Sequence, residues 1–178
     1  HNAFLDERLL ATPAFAVAEC VRLTGEMSHM AHAAVTDALN LIEKFDTSLC
    51  EKVAVGEDKL DEYEDKLGTF MVKLSACELS DADSRKVSQM LHVIGDFERM
   101  GDHASNLMET AQEIHDKKIR FSDAAREEIN TLLAALREIL SLTIGAFDAG
   151  DTERAAEIEP LEDVIDYLIA EIKTNHIN

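Results

Sequence analysis

The stretch DFERMGDHASN, Asp96 to Asn106, decides how this chain folds. Around it, Leu91, Ile94, Phe97 and Met108 recur at the three- and four-residue intervals of a helix with one face in a core. Two carboxylates, Glu98 and Asp102, lie beside that stripe, one turn apart, with Gly101 between them. With Ile94 set to zero and about 100° per residue, Glu98 falls at about 40°, inside the arc of Val87, Leu91, Gly101 and Ser105. Asp102 sits at the border of that arc, at about 80°. A bundle that places two acids there must either release them to water or neutralise them.

Working outward, the helix containing this stretch starts at SDAD, Ser80 to Asp83, a capping-box-like signal, and runs to about Lys118. Before it, Thr12-Pro13 supplies an N-cap and a first-turn Pro for a helix reaching about Phe45. Asp46-Thr47-Ser48 opens another helix, which reaches about Glu78. Ser122-Asp123 starts a fourth, ending at Ala149-Gly150, and Asp151-Thr152 opens a fifth. Seven Gly and two Pro leave few turns, and no segment alternates as a strand does. Connections of two to five residues make sequential helices antiparallel, so the class is all-α, a bundle of long helices.

The 178 residues suffice for one sizeable domain, and 46% hydrophobic content with 5% aromatics gives a core of Leu, Ile, Val, Ala and Met. A net charge of −19, from 36 acids against 17 bases, repels a phosphate backbone and excludes nucleic acid as a partner. It suits a cation or a basic partner surface, and much of it serves solubility. Cys20, Cys50 and Cys77 are odd in number and scattered, and read as buried thiols in a reducing compartment. No signal peptide is visible, and the most apolar stretch, INTLLAALREILSLTIGAF, carries Arg137 and Glu138 at its centre and does not span a bilayer. Residues 1–12 read as a linker or cloning remnant, because HNA lacks an initiator Met.

An internal repeat divides the rest. DTSLCEKVAVGEDKLDEYEDKL, from Asp46, overlies DTERAAEIEPLEDVIDYLIAEI, from Asp151, without a gap at an offset of 105 residues. Residues 13–118 form a first three-helix repeat, and 119–178 a second with two of its three helices. Glu57 and Asp61 lie near 60° and 100° from Leu60, and Glu162 and Asp166 take the same angles about Ile165. Three helices thus carry a Glu-x-x-x-Asp pair at the edge of an apolar face. Arg99 and His103 point to about 140° and 180°, away from the Glu98 pair. Two readings stand: solvated or Lys-bonded boundary acids, or oxygen ligands for a hard cation such as Mg, Ca, Mn or iron. Gly56, Gly68, Gly95 and Gly101 would admit close helix approach, and Pro160 loosens the helix before Glu162 as Gly56 does before Glu57. A ferritin-like di-iron centre needs two Glu-x-x-His motifs, and only Glu26 with His29 fits that spacing. His29, His32, His92 and His115 read as surface or core-edge histidines, and no GxSxG, HExxH or P-loop supports catalysis.

FERMGDHASN resembles a signature of the PhoU family of phosphate-uptake regulators. Glu98, Arg99, Asp102, His103 and Asn106 match its third-helix motif, and Glu57 with Asp61 match its second-helix motif. Glu162 and Asp166 match the second-helix motif of the second repeat. The opening FLDERLLATPAFAVAE is similar to the segment joining a sodium/phosphate cotransporter membrane domain to a C-terminal PhoU-like domain. The resemblance implies tandem three-helix repeats, the sixth helix being absent from this chain. It also implies metal on the acidic motifs, iron first, with Mg, Mn, Zn and Ca as alternatives. A non-enzymatic role follows, regulating phosphate transport at the cytoplasmic face of the inner membrane. The partners implied are a transporter membrane domain or a sensor kinase, and a homo-oligomer is open. A metal-free helical scaffold and a di-metal carboxylate oxidase are the alternatives.

Overall fold

The computed structural model describes residues 5–148 and 159–177. The described residues form five long helices: α1 (Pro13–Glu43), α2 (Thr47–Ser75), α3 (Asp81–Asp116), α4 (Asp123–Asp148) and α5 (Glu159–Thr174). A two-residue antiparallel bridge joins β1 (Arg120–Phe121) to β2 (His176–Ile177), pairing Arg120 with Ile177 and Phe121 with His176. The architecture is the expected all-α bundle. The expected helix start at Asp151-Thr152 lies outside the described residues, as do Ala149-Gly150 and any effect of the Pro160 side chain.

Local chemistry sets the helix starts. Asp46 accepts a hydrogen bond from Ser48 N–H at 2.8 Å, Ser80 from Asp83 N–H at 3.1 Å, and Ser122 from Ala125 N–H at 3.1 Å. α1 starts on Pro13 as expected, but its Thr12 hydroxyl donates back to the Leu9 carbonyl instead of capping. Residues expected to be linker are in part folded: Glu7–Ala11 form a 3-10 helix capped by Asp6, and Leu5, Leu9 and Leu10 lean on the core. Glu7 is ion-paired with Lys73 of α2.

α1 is the central element and packs against α2, α3 and α4. Small residues make this possible: Ala16, Cys20, Ala31 and Ala38 are fully buried along it, beside Met27, Val35 and Leu39. Thr24 and Ser28, also buried, satisfy their hydroxyls on the Cys20 and Gly25 carbonyls. Arg137 on α4 reaches Glu43 and Asn40 at 2.8 and 3.0 Å, tying α4 to α1. α5 then covers α4 and touches α3, burying Leu161, Ile165, Leu168 and Ile172. Of the cysteines only Cys20 is buried; Cys50 and Cys77 are half-buried, because they sit where α2 and its end meet solvent.

The glycines are not equivalent. A Cβ on Gly101 would lie 2.8 Å from Leu60 Cδ1 and 3.8 Å from the Glu57 backbone, so α2 and α3 meet there closely enough that any larger residue must displace the buried Leu60 side chain. A Cβ on Gly68 would lie 3.4 Å from Ile94 Cδ1, and one on Gly56 3.8 Å from Ala34 Cβ of α1. A Cβ on Gly95 would meet nothing within 4 Å, so this glycine does not serve helix approach. Among the described residues no helix is long and apolar enough to cross a membrane.

Candidate metal centre

The Gly101 contact brings the middle of α2 against the middle of α3. Carboxylate oxygens of Asp61, Glu64 and Glu98 lie within 4.8 Å of one another. Among the described residues they are the only group of three or more potential ligands so placed. Asp102, one turn beyond Glu98, shares a side-chain hydrogen bond with it. Asp61 and Asp102 are exposed while Glu64 and Glu98 are half-buried, so the cluster forms an acidic rim at the α2–α3 seam.

Burial is the first cause of a shift that pushes the Glu98 carboxyl up to about 7, and Asp102, Glu64 and Asp61 add repulsion. The Glu64 carboxyl is raised for the same reasons, burial first and then Asp61, Asp65 and Asp102. Every charged group acting on Glu98 is an acid. The neighbouring bases are spent elsewhere, Lys66 on Glu62 at 2.7 Å and Arg99 on Asp96 and Glu162. Three oxygen donors with Asp102 beside them, and no counter-charge paired to them among the described residues, have the chemistry to hold a hard divalent cation or iron.

Glu57 does not join this group. It is half-buried, and the Ser105 hydroxyl of α3 donates to it. Glu64 was not among the expected ligands, although it sits about 40° from Leu60, the same angle that singled out Glu98.

The second motif is resolved differently. Glu162 is half-buried and Asp166 exposed, the same pattern as Glu57 and Asp61. Glu162 Oε1 accepts from Arg99 Nε at 3.0 Å, and its Oε2 lies 3.8 Å from His103 Nε2. The same guanidinium donates to Asp96, a carboxylate only 2% exposed. Burial raises the Asp96 carboxyl, and Arg99 and His92 oppose that rise. Asp96 Oδ2 has no hydrogen-bond partner among the described residues, and His92 Nε2 stands 3.7 Å away. Arg99 thus joins α3 to α5 through Glu162 while holding Asp96 of its own helix. Glu26, the candidate di-iron ligand, accepts instead from Arg22 at 2.8 Å and Tyr63 at 3.0 Å, on the surface of α1. His29 is exposed on the same helix.

Comparison with known proteins bears on the family the chain is similar to. Residues 24–111, which contain the whole α2–α3 cluster, match the sequence profile of the PhoU domain. A "phosphate-specific transport system accessory protein PhoU homolog" of Clostridium acetobutylicum is 21% identical over 154 residues, covering 85% of this chain and 69% of the relative. A protein of the same description from Aquifex aeolicus is 24% identical over 149 residues, covering 83% and 66%. The chain spans about two thirds of the length of these curated relatives. No solved structure matches it significantly. The α2–α3 acidic seam lies inside the segment, residues 24–111, that is similar to the PhoU domain.

Proposed function

We propose that this chain is a metal-binding regulatory domain of phosphate transport, acting through protein partners and not by catalysis. The observation that carries the reading is the convergence of Asp61, Glu64 and Glu98, beside Asp102, with only acids acting on Glu98 among the described residues, inside the segment similar to the PhoU domain. A bound cation would supply that missing charge and fasten α2 to α3. Iron fits the oxygen donors, as do Mn, Mg and Ca; Zn, which favours nitrogen and sulfur, fits them less well. Glu162 is read as neutralised by Arg99, which leaves it, with the exposed Asp166, a second and weaker candidate for metal.

Both relatives bear the name of phosphate-specific transport accessory proteins, which supports the transport context. The partner is a phosphate transporter membrane domain or a sensor kinase, at the cytoplasmic face of the inner membrane. The opening FLDERLLATPAFAVAE favours covalent attachment to a sodium/phosphate cotransporter. Thermal melting of chelator-stripped protein with and without Mn²⁺ or Fe²⁺ tests the metal reading. The melting temperature should rise by several degrees at saturating metal. Glu98→Gln combined with Asp102→Asn should abolish the rise. A metal-free scaffold would show no rise in the unaltered chain.

A further inference from the structure

At the end of the bundle remote from the acidic seam a short run of bases gathers, flanked by Asp116, Glu127 and Glu128. Within residues 117–126 stand Lys117, Lys118, Arg120 and Arg126 against one acid, Asp123, in a chain where acids outnumber bases 36 to 17. Lys118, Arg126 and His115 line a cavity of about 410 Å³ between the ends of α1 and α3 and the first turn of α4. Phe45, Ile119 and Phe121 supply apolar wall. The one acid on the wall, Glu43, is already held by Arg137 at 2.8 Å. Neither Lys118 nor Arg126 has an ion-pair partner among the described residues, whereas neighbouring Lys117 is bonded to Glu113.

Two further features organise the cavity. The His115 ring stacks on Phe45 with centroids 4.1 Å apart and planes 13° apart, which fixes the imidazole in the wall. Arg126 sits 5.4 Å above the centre of the Phe121 ring, leaving the edge of its guanidinium for an anion. Lys118 has φ 52°, in the left-handed region where glycine is favoured. Its N–H donates to the His115 carbonyl at 3.2 Å, and Ile119 N–H to Ile114 at 3.0 Å, the usual glycine-ended finish of a helix. At this position a lysine bears the backbone cost and adds a cation to the cavity.

We propose that the cavity binds a phosphate ester carrying an apolar body. Three groups able to bear positive charge around one space favour a dianion over a carboxylate, and Arg and Lys are the side chains suited to phosphate oxygens. The volume exceeds that of a bare oxyanion and falls within the range of small-molecule sites, which leaves room for an apolar part against Phe45, Ile119 and Phe121. Fifteen helical residues separate Asp102 from Lys117, roughly 20 Å along α3, so the site is distinct from the metal centre and independent of it.

Calorimetric titration with 1-naphthyl phosphate and sedimentation with phosphatidic acid vesicles, against phosphatidylcholine vesicles as control, test the proposal and its source of ligand. Binding of 1-naphthyl phosphate identifies a soluble ester; binding of the anionic vesicles alone identifies a lipid headgroup. Lys118→Gly should weaken binding about tenfold or more while leaving the melting temperature unchanged or raised, since glycine relieves the positive φ. Arg126→Gln should weaken it similarly. Absence of binding to both probes, or equal binding by both variants, overturns the proposal.

Discussion

Two acidic motifs of the same spacing, each lying against α3, reach opposite electrostatic states. At the α2–α3 seam, Asp61, Glu64, Glu98 and Asp102 face one another with only acids acting on Glu98. At the α3–α5 seam, Glu162 meets Arg99 and His103, and the same Arg99 holds buried Asp96. The contrast teaches that a Glu-x-x-x-Asp motif does not specify a metal by itself. What decides is whether the facing helix brings a base or more acids. One side of α3 presents Glu98 and Asp102, and the side about 100° further round presents Arg99 and His103. A single helix therefore builds both environments.

The largest effect should come from removing the internal cation. Arg99→Leu leaves Asp96 buried and unpaired and releases Glu162, at a cost of about 3 kcal/mol, or about 10 °C in melting temperature. An equal melting temperature in the variant would break the contrast, since Arg99 would then be incidental. Next, Gly101→Val forces a side chain into Leu60 where α2 and α3 touch, costing about 2 kcal/mol by overpacking and spreading the acidic cluster. Its metal affinity should fall together with its stability. Metal affinity unchanged in this variant would mean that the helix separation does not set the site.

Glu98 gives a pH signature. Its folded-state carboxyl is raised to about 7, above the ordinary value of 4.5, so between those limits the folded chain holds a proton that the unfolded chain has lost. Stability of the metal-free protein should therefore fall as pH rises from about 4.5 to 7, by on the order of 1 kcal/mol once solvent screening is allowed for. Glu98→Gln should flatten this trend, and a flat profile in the unaltered chain would contradict the crowding of acids. Smallest of all, Glu64→Gln removes one repelling charge. It should raise the stability of the metal-free protein by a few tenths of a kcal/mol while weakening metal binding about tenfold. A titration with equal affinity would remove Glu64 from the ligand set.

Much of this was legible in the chain. The caps at Asp46, Ser80 and Ser122 fixed three helix starts, because each puts a side-chain oxygen on a free N–H. Helix ends were read two to three residues too long at Phe45, Glu78 and Lys118. Apolar or helix-favouring residues continue there past the last hydrogen-bonded turn. The inward angle of Glu98 is readable from periodicity, and Glu64 takes the same angle on α2 although it lies outside the repeated Glu-x-x-x-Asp motif. Arg99 was placed correctly as pointing away from Glu98. No wheel drawn for α3 alone reveals that α5 passes on that side, so the Asp96–Arg99–Glu162 bridge emerges only from packing. Gly101 and Gly95 look alike in sequence and differ only in what faces them.

Counting bound Mn²⁺ or Fe²⁺ per chain after chelator stripping and reloading tests the central claim most directly, in the unaltered protein and in two paired variants. Asp61→Asn with Glu98→Gln should empty the chain of tightly held metal, while Glu162→Gln with Asp166→Asn should leave the count unchanged. Metal that survives the first pair, or disappears with the second, would contradict the assignment of the cation to the α2–α3 seam.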